Sequence, residues 1–167
     1  KLYADKPVPR PKTIWKNDEL DAQLPDWVKR RRYTRHGVEG LFGQVISYED
    51  AYRDYMRCLL AIDDSVGEVT KKLEEKGLLN DTLIVYMGDN GYMWGEHGLV
   101  DKRAMYEPSM RVPLIAHCPS LFPKAEKPKE MALNLDLAPT FLEAAGVTEK
   151  PKMHGQSWLP VLNGTAK

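Results

Sequence analysis

The chain has 167 residues, 43% of them hydrophobic, and its 24 Lys and Arg balance 24 Asp and Glu. That length suits one domain with a substantial core, and the apolar content excludes wholesale disorder. The balanced charge gives no global field that points to nucleic acid or a membrane surface, and no apolar run approaches the roughly 18 residues of a spanning helix.

Residues 1–45 form a Pro-rich and basic segment, with Pro7, Pro9, Pro11 and Pro25 and the run Lys29-Arg30-Arg31-Arg32. Prolines interrupt regular structure and the polar stretches carry little periodicity, which predicts a long irregular segment laid over some other surface. The cationic run, extended to Arg35, reads as a solvated face, with a grip on a polyanion as the alternative. His36 beside it is ambiguous.

From Ser47 the pattern turns helical: Tyr52, Tyr55, Met56, Leu59, Ile62, Val66, Val69 and Leu73 recur every three or four residues, an amphipathic stripe. Ser47 followed by Asp50 resembles a capping box, and Lys76-Gly77 supplies a basic last turn and a stop. These signals predict a helix of about 28 to 30 residues. Asp63 and Asp64 inside it point about 100° apart, so they read as structural rather than as a converging pair.

The apolar run at residues 83–87 predicts a strand ending at Gly88-Asp89-Asn90-Gly91. Without alternation it suits a strand covered on both faces, as in a parallel sheet flanked by helices. Ligands in such sheets sit beyond the carboxyl ends of the strands, where Asp89 and Asn90 fall; the same four residues are also a common turn. Soon after come His97, in Gly95-Glu96-His97-Gly98, and Lys102, in Asp101-Lys102-Arg103. A carboxylate and an amide oxygen are hard ligands for Ca²⁺ or Mg²⁺, while an imidazole and an ammonium can bind an anion beside that metal. The ensemble reads as a cation plus an oxyanion.

A second strand is predicted at residues 112–116, with Pro113 marking an irregular start. Cys118-Pro119-Ser120 reads as an exit from that strand, and Cys58 and Cys118 match neither a metal spacing nor a disulfide framework. Residues 122–130 form a polar surface segment. Residues 136–146 predict a short helix that packs on the sheet, with Asp136 as cap, Pro139 in the first turn and Gly146 as stop. The tail at 154–162 carries an apolar patch without a clear element, and His154 reads as structural. Asn163-Gly164-Thr165 matches a glycosylation acceptor.

Taken in order, these motifs resemble the sulfatase family of the alkaline-phosphatase-like superfamily. They are the long helix with Ile62-Asp63-Asp64-Ser65-Val66-Gly67, Gly88-Asp89-Asn90-Gly91, Gly95-Glu96-His97-Gly98 and Asp101-Lys102-Arg103 with Met105-Tyr106-Glu107. Arg111-Val112-Pro113-Leu114, Asp136-Leu137-Ala138-Pro139-Thr140 and Gly155-Gln156-Ser157 follow. The resemblance spans about residues 46–164. It implies an α/β fold: a partial α/β/α sandwich of the alkaline-phosphatase-like type, missing its N-terminal strands and C-terminal subdomain. Residues 46–167 would be the later part of the catalytic domain.

The resemblance further implies Asp89 and Asn90 as two ligands of a Ca²⁺, in preference to Mg²⁺. Lys102 would be the catalytic contact to the sulfate and its bridging oxygen, and His97 would face the substrate pocket. Family chemistry hydrolyses sulfate esters through a formylglycine made from Cys or Ser in a Cys/Ser-x-Pro-x-Arg motif. That motif is absent from these residues, as are the family's paired aspartates, a pocket Lys and its His-x-Pro segment. The formylglycine and remaining ligands are therefore expected in an N-terminal part of the same domain lying before residue 1, without which the chain would be inactive. The implied substrate is a sulfated carbohydrate or other sulfate ester, with no nucleic-acid or membrane partner, in a periplasmic, extracellular or lysosomal setting. Two alternatives stay open: a phosphonate or phosphate diester hydrolase of the same superfamily, from which Asn90 in place of His leans away, and a non-catalytic module binding sulfated glycans.

Overall fold

The computed structural model describes residues 3–14, 18–43 and 46–165. In chain order the helices and strands are α1 (Asp18–Ala22), α2 (Asp26–Arg31), α3 (Val38–Phe42), α4 (Tyr48–Glu75), β1 (Ile84–Met87), β2 (Met93–Trp94), β3 (Val100–Asp101), α5 (Glu107–Met110), β4 (Leu114–His117), α6 (Leu137–Ala144) and α7 (Leu159–Leu162). Strand β1 pairs with β4; β2 pairs antiparallel with β3, Met93 facing Asp101 and Trp94 facing Val100. The chain divides into two compact units, Lys1–Val69 with Met87–Pro113 and Thr70–Tyr86 with Leu114–Lys167.

Helix α4 has 28 residues and the predicted ends. The Asp50 N–H donates to Ser47 Oγ at 3.1 Å, and the Ser47 hydroxyl donates to Asp50 Oδ2 at 2.7 Å. At the far end Gly77 has φ 67°, and the Leu78 N–H reaches back to the Leu73 carbonyl at 2.9 Å. Glycine is suited there because a left-handed backbone costs a residue with a Cβ roughly 1–2 kcal/mol. The stripe is covered along its first turns, where Tyr48, Tyr52 and Tyr55 gather on Trp94 with ring centroids 6.2, 5.2 and 5.1 Å away. Farther along, Ile62, Val66 and Val69 are 43%, 39% and 56% exposed. Strand β1 is likewise only half-buried throughout, and Ile115 in β4 is 61% exposed, so the cover expected on both faces is absent among the described residues. An apolar run records a capacity for burial but does not name the neighbour that provides it.

The N-terminal segment departs further from expectation. It carries α1, α2 and α3, and Pro25, instead of breaking structure, sits just before α2 with extended backbone, where a missing N–H costs nothing. It also builds the core of the first unit. One cluster joins Val28 to Met93, Leu99 and Ala104, flanked by Leu24 and Tyr106. A second joins Ile14 and Val38 to Tyr48, flanked by Val8, Phe42, Tyr52 and Trp94. Fully burying such a side chain contributes about 1.5–3 kcal/mol, which lets a two-residue ladder persist.

The basic run also divides. Arg30 and Arg31 are exposed as predicted, whereas Arg32 is 2% exposed. Its guanidinium donates to Glu39 Oε1 from Nε at 2.9 Å and from Nη2 at 2.5 Å, reaches the Ile14 carbonyl at 3.2 Å, and lies 3.6 Å from Asp21. A planar fork that can serve several acceptors at once makes burial of this cation tolerable.

In the second unit α6 packs against α7, a helix that the tail was not expected to form. Asp136 makes no side-chain cap to α6. Its carboxylate instead accepts the N–H groups of Leu133 and Gln156, both at 2.8 Å, and the indole N–H of Trp158 at 3.4 Å. The Thr140 hydroxyl donates to the Asp136 carbonyl at 2.7 Å and accepts the Trp158 N–H at 2.9 Å. Burial by itself would raise the Asp136 pKa, but the donors from Gln156, Leu133 and Trp158 more than offset it and hold the group below the ordinary carboxylate value. Gly155 is required by close approach: a Cβ there would lie 2.1 Å from the Leu135 carbonyl oxygen. Cys118 is buried, with Sγ 3.6 Å from the Asn80 carbonyl and 3.4 Å from Ser120 Oγ, consistent with a strand exit.

Candidate active site

The residues between β1 and β4 all belong to the first unit and carry the candidate chemistry. Gly88-Asp89-Asn90-Gly91 is a turn pinned at both ends: the Gly88 N–H donates to the Pro113 carbonyl at 3.4 Å and the Gly91 N–H to the Ser109 carbonyl at 2.8 Å. A Cβ on Gly91 would lie 2.0 Å from the Pro108 carbonyl oxygen, so only glycine permits this approach. Between the pins, Asp89 and Asn90 are exposed. Asp89 Oδ1 accepts the Asn90 N–H at 2.8 Å, and the Asn90 side-chain amide donates to the Gly91 carbonyl at 2.9 Å. Asp89 Oδ2 and the Asn90 side-chain oxygen are left without a donor among the described residues. Two adjacent hard oxygens fit Ca²⁺ as part of the roughly six to eight it takes. Among the described residues no group of three or more His, Cys, Asp or Glu could hold a metal ion, so the turn offers part of a coordination sphere.

The β2–β3 hairpin was not foreseen; its strands are too short for a periodic signal. Gly95 (φ 110°) and Gly98 (φ 71°) bracket its connection. A Cβ on Gly95 would lie 2.4 Å from Ile14 Cγ1, and one on Gly98 would lie 2.1 Å from Arg32 Nη1. His97 between them has φ 58°. Its N–H donates to Thr13 Oγ1 at 2.8 Å, and its ring stacks on Tyr106 with centroids 4.1 Å apart and planes at 22°. Thr13, Ile14 and Arg32 thus shape this connection from the N-terminal segment, and no local sequence signal marks them.

Asp101 ends β3 with φ 82°. Its Oδ1 accepts the Lys102 N–H at 2.8 Å, while Oδ2 lies 2.6 Å from Arg103 Nη1 and 3.1 Å from His36 Nδ1. The His36 backbone carbonyl also accepts the Val100 N–H at 3.0 Å, so His36 is fixed beside β3. Burial raises the Tyr92 pKa, the Asp101 charge adds to this, and the Asp101 backbone N–H opposes it. Lys102 is exposed and its ammonium has no carboxylate partner among the described residues.

Because Met93 faces Asp101, Lys102 leaves the ladder at the end where Tyr92 and the Asp89-Asn90 turn enter it. His97 lies in the connection at the other end. Among the described residues no hydrogen bond, ion pair or ring contact joins His97 to Asp89, Asn90 or Lys102. In chain register the hairpin therefore places Lys102 at the end that the oxygen-donor turn enters and His97 in the connection at the other end.

Residues 95–167 match the family model described as N-sulphoglucosamine sulphohydrolase, C-terminal. An N-acetylglucosamine-6-O-sulfatase of Bacteroides thetaiotaomicron is 41% identical over 120 residues, which is 72% of this chain and 22% of the length of that relative. A structure solved in complex with its substrate, D-glucosamine-2-N,6-O-disulfate, aligns with a TM-score of 0.67 and 33% identity, covering 89% of this chain and 31% of that one. The phosphonate monoester hydrolase of Silicibacter pomeroyi aligns with a TM-score of 0.55 and 34% identity over 64% of this chain and 21% of that one. By sequence and by its partial α/β, alkaline-phosphatase-like fold, this chain belongs to the sulfatase family and corresponds to part of its catalytic domain.

Proposed function

We propose that the chain forms part of a sulfuric-ester hydrolase acting on sulfated carbohydrates, sulfated amino sugars in particular. The observation that carries this reading is the placement of Lys102 at the end of the β2–β3 ladder that the Asp89-Asn90 turn enters, its ammonium without a carboxylate partner among the described residues and the neighbouring carboxylate of Asp101 already engaged by Arg103 and His36. The sulfated glucosamine bound by the structural relative supports the substrate class.

In this reading Asp89 and Asn90 hold Ca²⁺ through their side-chain oxygens. When bound, the ion would draw charge from the sulfuryl oxygens. Lys102 contacts the sulfate and its bridging oxygen and stabilises the charge that develops there, a contribution typically worth about 10²–10³ in rate for one such donor. His97, oriented by Tyr106 and Thr13, faces the substrate. The nucleophile is a formylglycine supplied from outside these 167 residues, in which Cys/Ser-x-Pro-x-Arg does not occur. The chain by itself then has no turnover.

The likeness to a phosphonate monoester hydrolase favours one second reading, phosphonate or phosphate ester hydrolysis at the same site. Assaying the complete gene product that carries this chain on 6-O-sulfated N-acetylglucosamine and on an aryl phosphonate monoester separates the two. Preferential sulfate release is expected. A dominant phosphonate rate would reverse the assignment, and binding of the sulfated sugar without turnover would make the protein a glycan-binding module.

A further inference from the structure

We infer that Asp101 is a positioning residue for Lys102: it caps the Lys102 amide with one oxygen while Arg103 and His36 take up the other, so that it aims the lysine without quenching it. This rests on the reading of Lys102 as the oxyanion contact and adds how the chain presents it.

Three observations carry the inference. Asp101 holds φ 82°, a conformation that costs most side chains energy and that Asp and Asn tolerate because a short polar side chain can bond locally. That local bond is present, from the Lys102 N–H to Oδ1 at 2.8 Å, and it sets where the lysine side chain leaves the backbone. A carboxylate next to a lysine in sequence would ordinarily lower the positive potential around the ammonium. Here Oδ2 lies 2.6 Å from Arg103 and 3.1 Å from His36, with the Asp101 side chain only 15% exposed. The charge of Asp101 is thereby directed at Arg103, and Lys102 keeps its field for an incoming anion. Asp101-Lys102-Arg103 works as one device in which the outer residues serve the middle one.

The test measures binding of inorganic sulfate to the complete gene product by calorimetry, for folded protein only. Asp101→Gly keeps the backbone preference and removes the cap; it is expected to weaken sulfate binding about fivefold, the scale of one hydrogen bond. Asp101→Asn keeps both acceptor and backbone preference and is expected to recover most of that loss. A purely structural role would lower the unfolding temperature of Asp101→Gly and leave the affinity of the folded protein at the native value; that result, with Lys102→Ala binding weakly, would overturn the inference alone. Native affinity in Lys102→Ala would overturn the reading of Lys102 beneath it. If Asp101→Gly does not fold, a double-mutant cycle decides. Arg103→Met is expected to weaken sulfate binding by freeing the Asp101 charge, and adding Asp101→Asn to restore it. No restoration would assign Arg103 its own anion contact and overturn the inference.

Discussion

The backbone N–H of His97 donates to the hydroxyl of Thr13 at 2.8 Å across 84 positions of sequence. That bond fixes a left-handed residue whose N–H has no other side-chain acceptor among the described residues. Thr13→Val keeps the shape and removes the acceptor, and leaving a partly buried N–H unpaired costs about 1–3 kcal/mol. Amide hydrogen exchange at His97 is expected to accelerate accordingly. Native protection in the variant would show that Thr13 does not hold the turn.

Arg32 makes a larger prediction. Its side chain is 3% exposed and its partner Glu39 22% exposed, and removing one member of a buried pair costs about 3–5 kcal/mol. Urea denaturation of Arg32→Met is expected to register a loss on that scale, and Arg32→Lys to recover only part of it, since a point charge cannot serve Glu39, Ile14 and Asp21 together. Equal stability of Arg32→Met and the native protein would remove Arg32 from the core.

Much of the chain after residue 46 was legible because its signals are local. The Ser47-Asp50 cap, the stripe of α4 and the Gly77 stop are written within a few residues of where they act, and so is the Gly88-Asp89-Asn90-Gly91 turn. What stayed hidden depends on distant partners. Nothing around Thr13, Ile14 or Arg32 announces that they would meet Gly95, His97 and Gly98, and a run of Lys and Arg gives no sign that its last member is buried. The role of Asp136 shows the same limit: its position suited a helix cap, but its partners Gln156 and Trp158 come from the tail. Asp101 was legible as part of a motif, while its pairing with His36 required the hairpin.

Asp136 makes stability depend on pH. Its folded pKa is below the unfolded value of about 3.9, so the native state favours the carboxylate more than the unfolded chain does. The resulting stability is present above about pH 4 and is lost as pH falls through the folded value. Calorimetric unfolding across this range is expected to show a steeper acid decline for the native chain than for Asp136→Asn. Parallel declines would mean that the carboxylate gains nothing from its donors.

The exposed apolar side chains Val69 and Ile115 (56% and 61% exposed) are expected to bind a fluorescent hydrophobic probe and to promote association of the isolated chain. Substituting each by Lys should reduce both effects while changing stability by less than about 0.5 kcal/mol, as for surface sites. A loss of several kcal/mol would place these residues in a buried interface in solution.

The central claim concerns Lys102 as the contact to the sulfate. The most direct measurement is sulfate release from 6-O-sulfated N-acetylglucosamine by the complete gene product, native and Lys102→Ala, with unfolding temperatures recorded in parallel. A fall in rate of about 10²–10³ at an unaltered unfolding temperature is the expected result. Sulfate release at the native rate from a folded Lys102→Ala protein would contradict the assignment.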